Sequence, residues 1–245
     1  MSQPTRIILI TGANGGLGLA IARAFIDESP AYHVWLGVRQ NRTAAQALLN
    51  EFSGRASLVD LDVTSADSWK TAVQAILAAH QRIDVLVNNA GSHADALLAQ
   101  MPVASWDSVI DTNLNAVFHG SQAVMPAMIA QRHGRIINIA SLSALLAPAG
   151  QTNYAAAKAG VVAMTQSLAK EVARIGITVN AVCPGYIDTE ALKSLSDDER
   201  KAAQSKVPMR RFGKPSEVAA VVRFLACSDA AYVTGSVIKV DGGIL

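Results

Sequence analysis

Of the 4 tyrosines in this 245-residue chain, one alone has a lysine four residues later: Tyr154 with Lys158. On an α-helix those positions share a face, one turn apart, so a phenol and an ammonium would stand together. That is acid–base chemistry in outline. A free phenol titrates near 10, and work near neutrality needs a lowering of about 3 units, roughly 4 kcal/mol. A neighbouring cation favours the phenolate and supplies part of it. A lone Tyr-x-x-x-Lys arises often by chance on surface helices. Here it follows an apolar run, Arg135–Ala140, that ends on Ser141. Ligands of doubly wound sheets sit beyond such strand ends.

A second constellation is rich in glycine. The apolar run Arg6–Ile10 leads into Thr11-Gly12-Ala13-Asn14-Gly15-Gly16-Leu17-Gly18, and an Ala-rich helical stretch follows. Glycines spaced as Gly12, Gly16 and Gly18 permit a tight turn and a close backbone approach to a pyrophosphate. The helix behind them offers free N–H groups and the positive end of its dipole. The plainer alternative is a glycine-rich connection without a ligand. A second strand would end where the adenosine ribose of a dinucleotide lies, and NAD sites place Asp or Glu there. This chain reads Gly37-Val38-Arg39, with Arg42 close behind. A guanidinium can fork onto a phosphate, so the expected cofactor is NADP (NADPH) in preference to NAD. On the competing reading Arg39 is only a solvated loop residue.

Such residues need a scaffold, and the chain alternates short β-rich runs with longer helical ones. The expected strands are Arg6–Ile10, His33–Val38, Ser57–Leu61, Ile83–Val87, Arg135–Ala140, Thr178–Val182 and Ser236–Val240. The expected helices are Gly18–Glu28, Thr43–Phe52, Ser65–His80, Val103–Gln131, Tyr154–Arg174 and Ser216–Ala226. Most strands are Ile/Val/Leu-rich throughout, the pattern of a parallel sheet covered on both faces. The expectation is an α/β fold: a single-domain, Rossmann-like doubly wound sheet of about seven mostly parallel strands, spanning 1–245. The irregular region Gly185–Pro215, with a polar helical piece Ser194–Lys206, has the length of a substrate lid.

Composition excludes several classes. Lys+Arg number 21 against 19 Asp+Glu, 51% of residues are hydrophobic and 16% charged. Disorder needs the opposite balance, and a nucleic-acid partner needs a basic excess. Cys183 and Cys227 make neither a disulfide framework nor a metal site, and the 5 histidines lack ligand spacing, so no metal is expected. The apolar run after Arg6 is too short for a signal peptide, and the uncharged stretch Ile136–Ala157 is too polar for a membrane span. A soluble, cytoplasmic protein with no membrane partner is expected. Cys183 is read as an inert buried thiol, His93 and His119 as loop and packing residues. Trp106 is expected in the core, and Asn88 as a brace between central strands.

The motifs together resemble the short-chain dehydrogenase/reductase family. The resemblance spans nearly the whole chain: Thr11–Gly18, Asp62-Val63, Asn88-Asn89-Ala90-Gly91, Asn113, Ser141, Tyr154 with Lys158, Pro184-Gly185 and Asp241-Gly242-Gly243. It implies an NAD(P)-dependent oxidoreductase acting on CH–OH groups, with catalytic Asn113, Ser141, Tyr154 and Lys158. Tyr154 would be the general acid/base and Ser141 would polarise the carbonyl oxygen. Lys158 would bind the nicotinamide ribose and lower the Tyr154 pKa, and Asn113 would hold a water of the proton relay. Cofactor contacts are implied at Thr11, Gly12, Asn14, Gly16, Leu17 and Gly18, and at Asp62 and Val63 beside the adenine. Asn89, Ala90 and Gly91 would lie beneath the cofactor, with Ile187 and Thr189 near the carboxamide. A homotetramer is implied as well.

Within the family the chain is most similar to the β-ketoacyl-[acyl-carrier-protein] reductases of fatty acid synthesis, through stretches such as Arg132–Ile139, Asn153–Gly160 and Gly176–Asn180. That implies a 3-oxoacyl thioester substrate and acyl carrier protein as a partner. Two positions depart. Gly15 stands where those reductases usually carry an arginine, and Ile175 occupies the second of two carrier-docking arginine positions, Arg132 matching the first. Arg174 is one residue early, which turns its side chain by about 100° on a helix. The alternatives are a reductase for another small ketone or alcohol (a sugar, polyol, steroid or xenobiotic), or a cofactor-binding regulator without turnover.

Overall fold

The computed structural model describes residues 5–193 and 196–245. All seven expected strand runs are strands: β1 (Arg6–Thr11), β2 (Tyr32–Val38), β3 (Ala56–Asp60), β4 (Val85–Asn88), β5 (Gly134–Ile139), β6 (Ile177–Pro184) and β7 (Val237–Val240). They form one sheet in the order β3-β2-β1-β4-β5-β6-β7. Every pairing is parallel. Parallel neighbours need crossovers, and helices supply them. These are α1 (Gly16–Glu28), α2 (Thr43–Glu51), α3 (Ala66–His80), α4 (Val103–Ile110), α5 (Ala116–Gln131), α6 (Ser143–Leu146), α7 (Thr152–Val172), α8 (Glu190–Lys193), α9 (Asp197–Ser205) and α10 (Pro215–Ala226).

The continuous apolar runs are explained by burial on both faces. In β1, Ile8 and Ile10 pack with α1, α2 and α10 through Phe25, Leu48 and Val222. Ile7 and Leu9 point the other way, into a layer with Trp69 of α3, Val124 of α5 and Val172 of α7. The order of strands reverses at β1, which pairs β2 on one side and β4 on the other. A crevice opens beyond the carboxyl ends at such a switch point. Beside it, Asn88 Nδ2 donates to Asn138 Oδ1 at 2.9 Å, and Asn138 Nδ2 to Thr165 Oγ1 at 2.8 Å. Asn88 thus braces β4 against β5, as expected.

Three expectations are corrected. The stretch Val103–Gln131 is helical from end to end as expected, but not α-helical throughout, because a π-helical segment, Asp111–Asn115, lies between α4 and α5. A π turn accommodates one more residue than an α turn and is frequent at functional sites. Here it carries Asn113, whose side chain is buried and donates to Ser92 O at 2.7 Å and Val109 O at 2.8 Å. Trp106 is not core: it stays 37% exposed, because α4 buries only Val109. The polar piece Ser194–Lys206 is shorter than expected and starts at Asp197, where Ser196 and Glu199 form a capping box. Ser194 and Leu195 themselves lie outside the described residues. The neck of this region is closed by Gly213, whose N–H donates to Tyr186 O at 2.9 Å while its carbonyl accepts from Asp188 N at 2.8 Å.

Candidate active site

A cleft of about 1300 Å³ opens beyond the carboxyl ends of the central strands. Every residue expected in the site lines it except Thr11 and Asn113. Its floor is built from backbone. Gly12 has a φ of +61°, and a Cβ there would lie 2.8 Å from Ala90 Cα. At Gly18 a Cβ would stand 2.5 Å from Gly12 O. Thr11, expected as a cofactor contact, is buried instead. Its Oγ1 accepts from the N–H groups of Asn89 and Ala90, both at 2.9 Å. Asn89 Nδ2 donates back to Thr11 O at 2.9 Å, so β1 and the turn after β4 are clamped together. No side chain caps α1, and its first turn holds no carboxylate. Its N-terminal N–H groups and positive dipole end are thereby left for an anion.

The far corner of the cleft lies after β2. Asn14 Nδ2 donates to Gln40 O at 3.0 Å and ties the glycine-rich turn to that corner. Arg39 lines the cleft and meets Asp62 at 3.5 Å. Arg42 pairs with Asp60 just behind. Hydrogen bonds from Thr64 hold the Asp62 carboxyl below its ordinary value, and Arg39 adds to that.

The opposite end carries Ser141, Tyr154 and Lys158. The i, i+4 spacing does place Tyr154 and Lys158 on one face of α7, with Lys158 Nζ 5.7 Å from the Tyr154 ring centroid. Lys158 is 3% exposed, and its Nζ donates to Ile139 O at the end of β5, at 2.9 Å. Burial pushes its ammonium down to about 8. The expected lowering of the Tyr154 phenol is not found: burial pushes it above its ordinary value, a hydrogen bond with Ser141 opposes that, and Asp95 adds to the rise. Asn113 Oδ1 is buried and has no hydrogen-bond partner among the described residues. A Cβ on Gly91 would lie 2.7 Å from that oxygen and 3.5 Å from Lys158 Nζ, so both polar groups crowd the same bare backbone.

Several neighbours carry no signal in the sequence. Ser141 Oγ accepts from Ser143 N at 3.1 Å. Ser143 Oγ donates to Gln151 Oε1 at 2.8 Å, and Gln151 Nε2 to Asp95 Oδ2 at 2.7 Å. His93, read as a loop residue, is on a loop but lines the cleft, its ring edge-to-face with Tyr154 at 6.3 Å. His119 packs beside Phe118. Cys183 is fully buried, its thiol pushed up by burial, as befits an inert group.

Comparison with known proteins gives a consistent picture. The family described as short chain dehydrogenase matches residues 6–200. The 3-oxoacyl-[acyl-carrier-protein] reductase FabG of Thermotoga maritima is 44% identical over 243 residues, covering 98% of each chain. The Escherichia coli protein of the same name is 42% identical over 244 residues, 100% of this chain and 99% of that relative. The Vibrio harveyi protein is 41% identical over the same share of each chain.

Proposed function

The chain belongs to the short-chain dehydrogenase family, which makes it an NAD(P)-dependent oxidoreductase, and from that premise we propose that it reduces the keto group of 3-oxoacyl thioesters with NADPH. The observation that carries the reading is the convergence of Ser141, Tyr154 and the buried Lys158 at one end of the cleft, opposite Arg39 at the other. The substrate class follows the names of the full-length relatives.

The residues present fit a dinucleotide. The turn Gly12–Gly18 and the uncapped start of α1 would hold the pyrophosphate, with Gly16 and Leu17 in the first turn. Arg39 would take the 2′-phosphate, Asp62 and Val63 the adenine, and Ile187 with Thr189 the carboxamide. Lys158 would bind the nicotinamide ribose over the floor made by Asn89, Ala90 and Gly91. When bound, the reduced nicotinamide supplies the hydride.

The chain's own groups supply the proton and its route. Ser141 Oγ accepts from Ser143 N, and its O–H, which meets Tyr154, would turn to the substrate oxygen. Tyr154 donates to the same oxygen and passes its proton to the developing alkoxide, a contribution of about 10²–10⁴ in rate for such general acids. Two donors aimed where charge develops lower the barrier further. A phenol held above its ordinary value stays protonated at neutral pH, the state that reduction requires. The unpartnered Asn113 Oδ1 would hold a water beside Lys158, through which the phenolate regains its proton.

Residues 185–215 would cover the substrate, since Tyr186 and Leu192 already line the cleft. Acyl carrier protein is proposed as a partner, with Arg132 exposed at the end of α5 and Arg174 exposed two residues before Gly176, whose backbone abuts Arg132 O. A homotetramer is proposed on the exposed Phe118 and Ile129 of α5. No helix among the described residues is long and apolar enough to cross a membrane. The test is the initial rate of NADPH oxidation, with NADH in parallel, on an acetoacetyl thioester. Turnover that prefers NADPH supports cofactor and substrate together. Tight NADPH binding without turnover rejects the substrate.

A further inference from the structure

We propose that His93 sets substrate specificity by donating a hydrogen bond to the thioester carbonyl, two carbons from the keto group that Ser141 and Tyr154 hold. The inference rests on the thioester reading above. A 3-oxoacyl thioester presents two acceptor oxygens at a fixed two-carbon separation. The wall beside Tyr154 must offer a donor to the second, because a carbonyl that leaves water unpaired binds poorly.

The polar groups on that wall are nearly all committed. Ser143 spends its hydroxyl proton on Gln151, and Gln151 has its carbonyl and one N–H engaged by Ser143 and Asp95. Asp95 is acceptor-only and would repel a carbonyl oxygen. None of these three lines the cleft, whereas His93 does. Its ring stands edge-to-face with Tyr154 and has no side-chain hydrogen bond among the described residues, and an imidazole keeps an N–H donor in either protonation state.

The loop around it is held as a mount for one side chain. Ser92 O accepts from Asn113 at 2.7 Å, and Ala94 O from Asn153 at 3.0 Å. Asp95 accepts from Gln151 at 2.7 Å, and Ala96 N donates to Gly150 O at 2.9 Å. The residues on either side of His93 are therefore pinned to the π segment and to the start of α7, the elements that carry Asn113 and Tyr154. Of these loop residues Ser92 and His93 line the cleft, and His93 is the one whose ring meets Tyr154. An immobilised backbone with a free donor is how a site avoids ordering cost on binding.

A ring contact alone would be served as well by phenylalanine, and a donor alone by glutamine, so two variants separate the roles. Kinetics on acetoacetyl thioester and on 2-heptanone, which keeps a keto group and alkyl chain but has no second carbonyl, are compared with NADPH affinity. His93→Phe is expected to lose about tenfold in kcat/KM on the thioester, chiefly through KM, while 2-heptanone rates and NADPH affinity stay within about twofold. His93→Gln is expected to restore most of the loss. Full thioester activity in His93→Phe, or an equal loss on both substrates, overturns the role of His93 and leaves the thioester reading standing. Failure of the unmodified protein to turn over the thioester while it reduces 2-heptanone overturns both.

Discussion

Lys158 and Arg39 are cations lining one cleft, Lys158 enclosed behind the end of β5 and Arg39 on the rim after β2. Lys158 is 3% exposed and donates to a single carbonyl, Ile139 O. The Arg39 side chain is 59% exposed and meets Asp62 at 3.5 Å. Burial changes what the first can do, because a desolvated ammonium titrates near neutrality, at about 8 here. Exposure keeps the second interchangeable: a screened surface pair is worth about 0–1 kcal/mol, so Arg39 can turn from Asp62 to a phosphate at little cost. On the proposed function the enclosed end serves proton chemistry at the expense of stability, and the open end serves recognition.

The sharpest way to break this contrast is Lys158→Met. Turnover should fall by on the order of 100-fold, as when a positioning group is lost. Stability should move the other way. With a folded pKa of about 8 against about 10.4 unfolded, the folded state bears the buried charge below pH 8. Between the two values the unfolded chain binds more protons, so native stability rises with pH, by roughly 3 kcal/mol in total. Denaturant titrations should therefore find Lys158→Met more stable at pH 7, by about 2 kcal/mol once the orphaned Ile139 carbonyl is discounted. That advantage should vanish by pH 10.5 or so. An equal gap at both pH values would show that the cation is not strained.

Gly18→Ala comes next. Its Cβ would lie 2.5 Å from Gly12 O, so the turn must move, at about 2 kcal/mol of stability. Gly15→Ala, whose Cβ meets nothing closer than 3.5 Å, should stay within about 0.5 kcal/mol. Similar melting shifts for both would refute the steric account of the floor. Arg39→Ala should weaken NADPH about tenfold, the scale of one charge-assisted hydrogen bond, and leave NADH unchanged. Equal effects on both cofactors would remove Arg39 as phosphate reader. The smallest effect is expected from Gly15→Arg. Adding a cation beside the open end should tighten NADPH a few-fold, an exposed-pair effect that salt weakens.

What the sequence revealed and what it hid follow the same division. The strands were legible because a sheet buried on both faces demands unbroken Ile/Val runs, as in Ile7–Ile10. Tyr154 and Lys158 were legible because a helix converts a spacing of four into adjacency. The π segment at Asp111–Asn115 was not, since one extra residue shifts the apolar phase by only one position, in a stretch where apolar residues lie all round the helix. His93 was hidden for a related reason: a loop has no period, and its place above Tyr154 is set by hydrogen bonds from Asn113, Asn153 and Gln151, which are distant in sequence. The direction of the Tyr154 shift was also hidden. The spacing announces a cation nearby but says nothing of burial, which here wins.

The most direct test of the account is Tyr154→Phe, measured for steady-state reduction of acetoacetyl thioester and for NADPH binding by fluorescence titration. If Tyr154 is the proton donor, turnover falls by about 10²–10⁴ while NADPH affinity stays within about twofold, since only one hydroxyl is removed. Turnover within about tenfold of the unmodified protein would contradict the assignment and place the proton elsewhere.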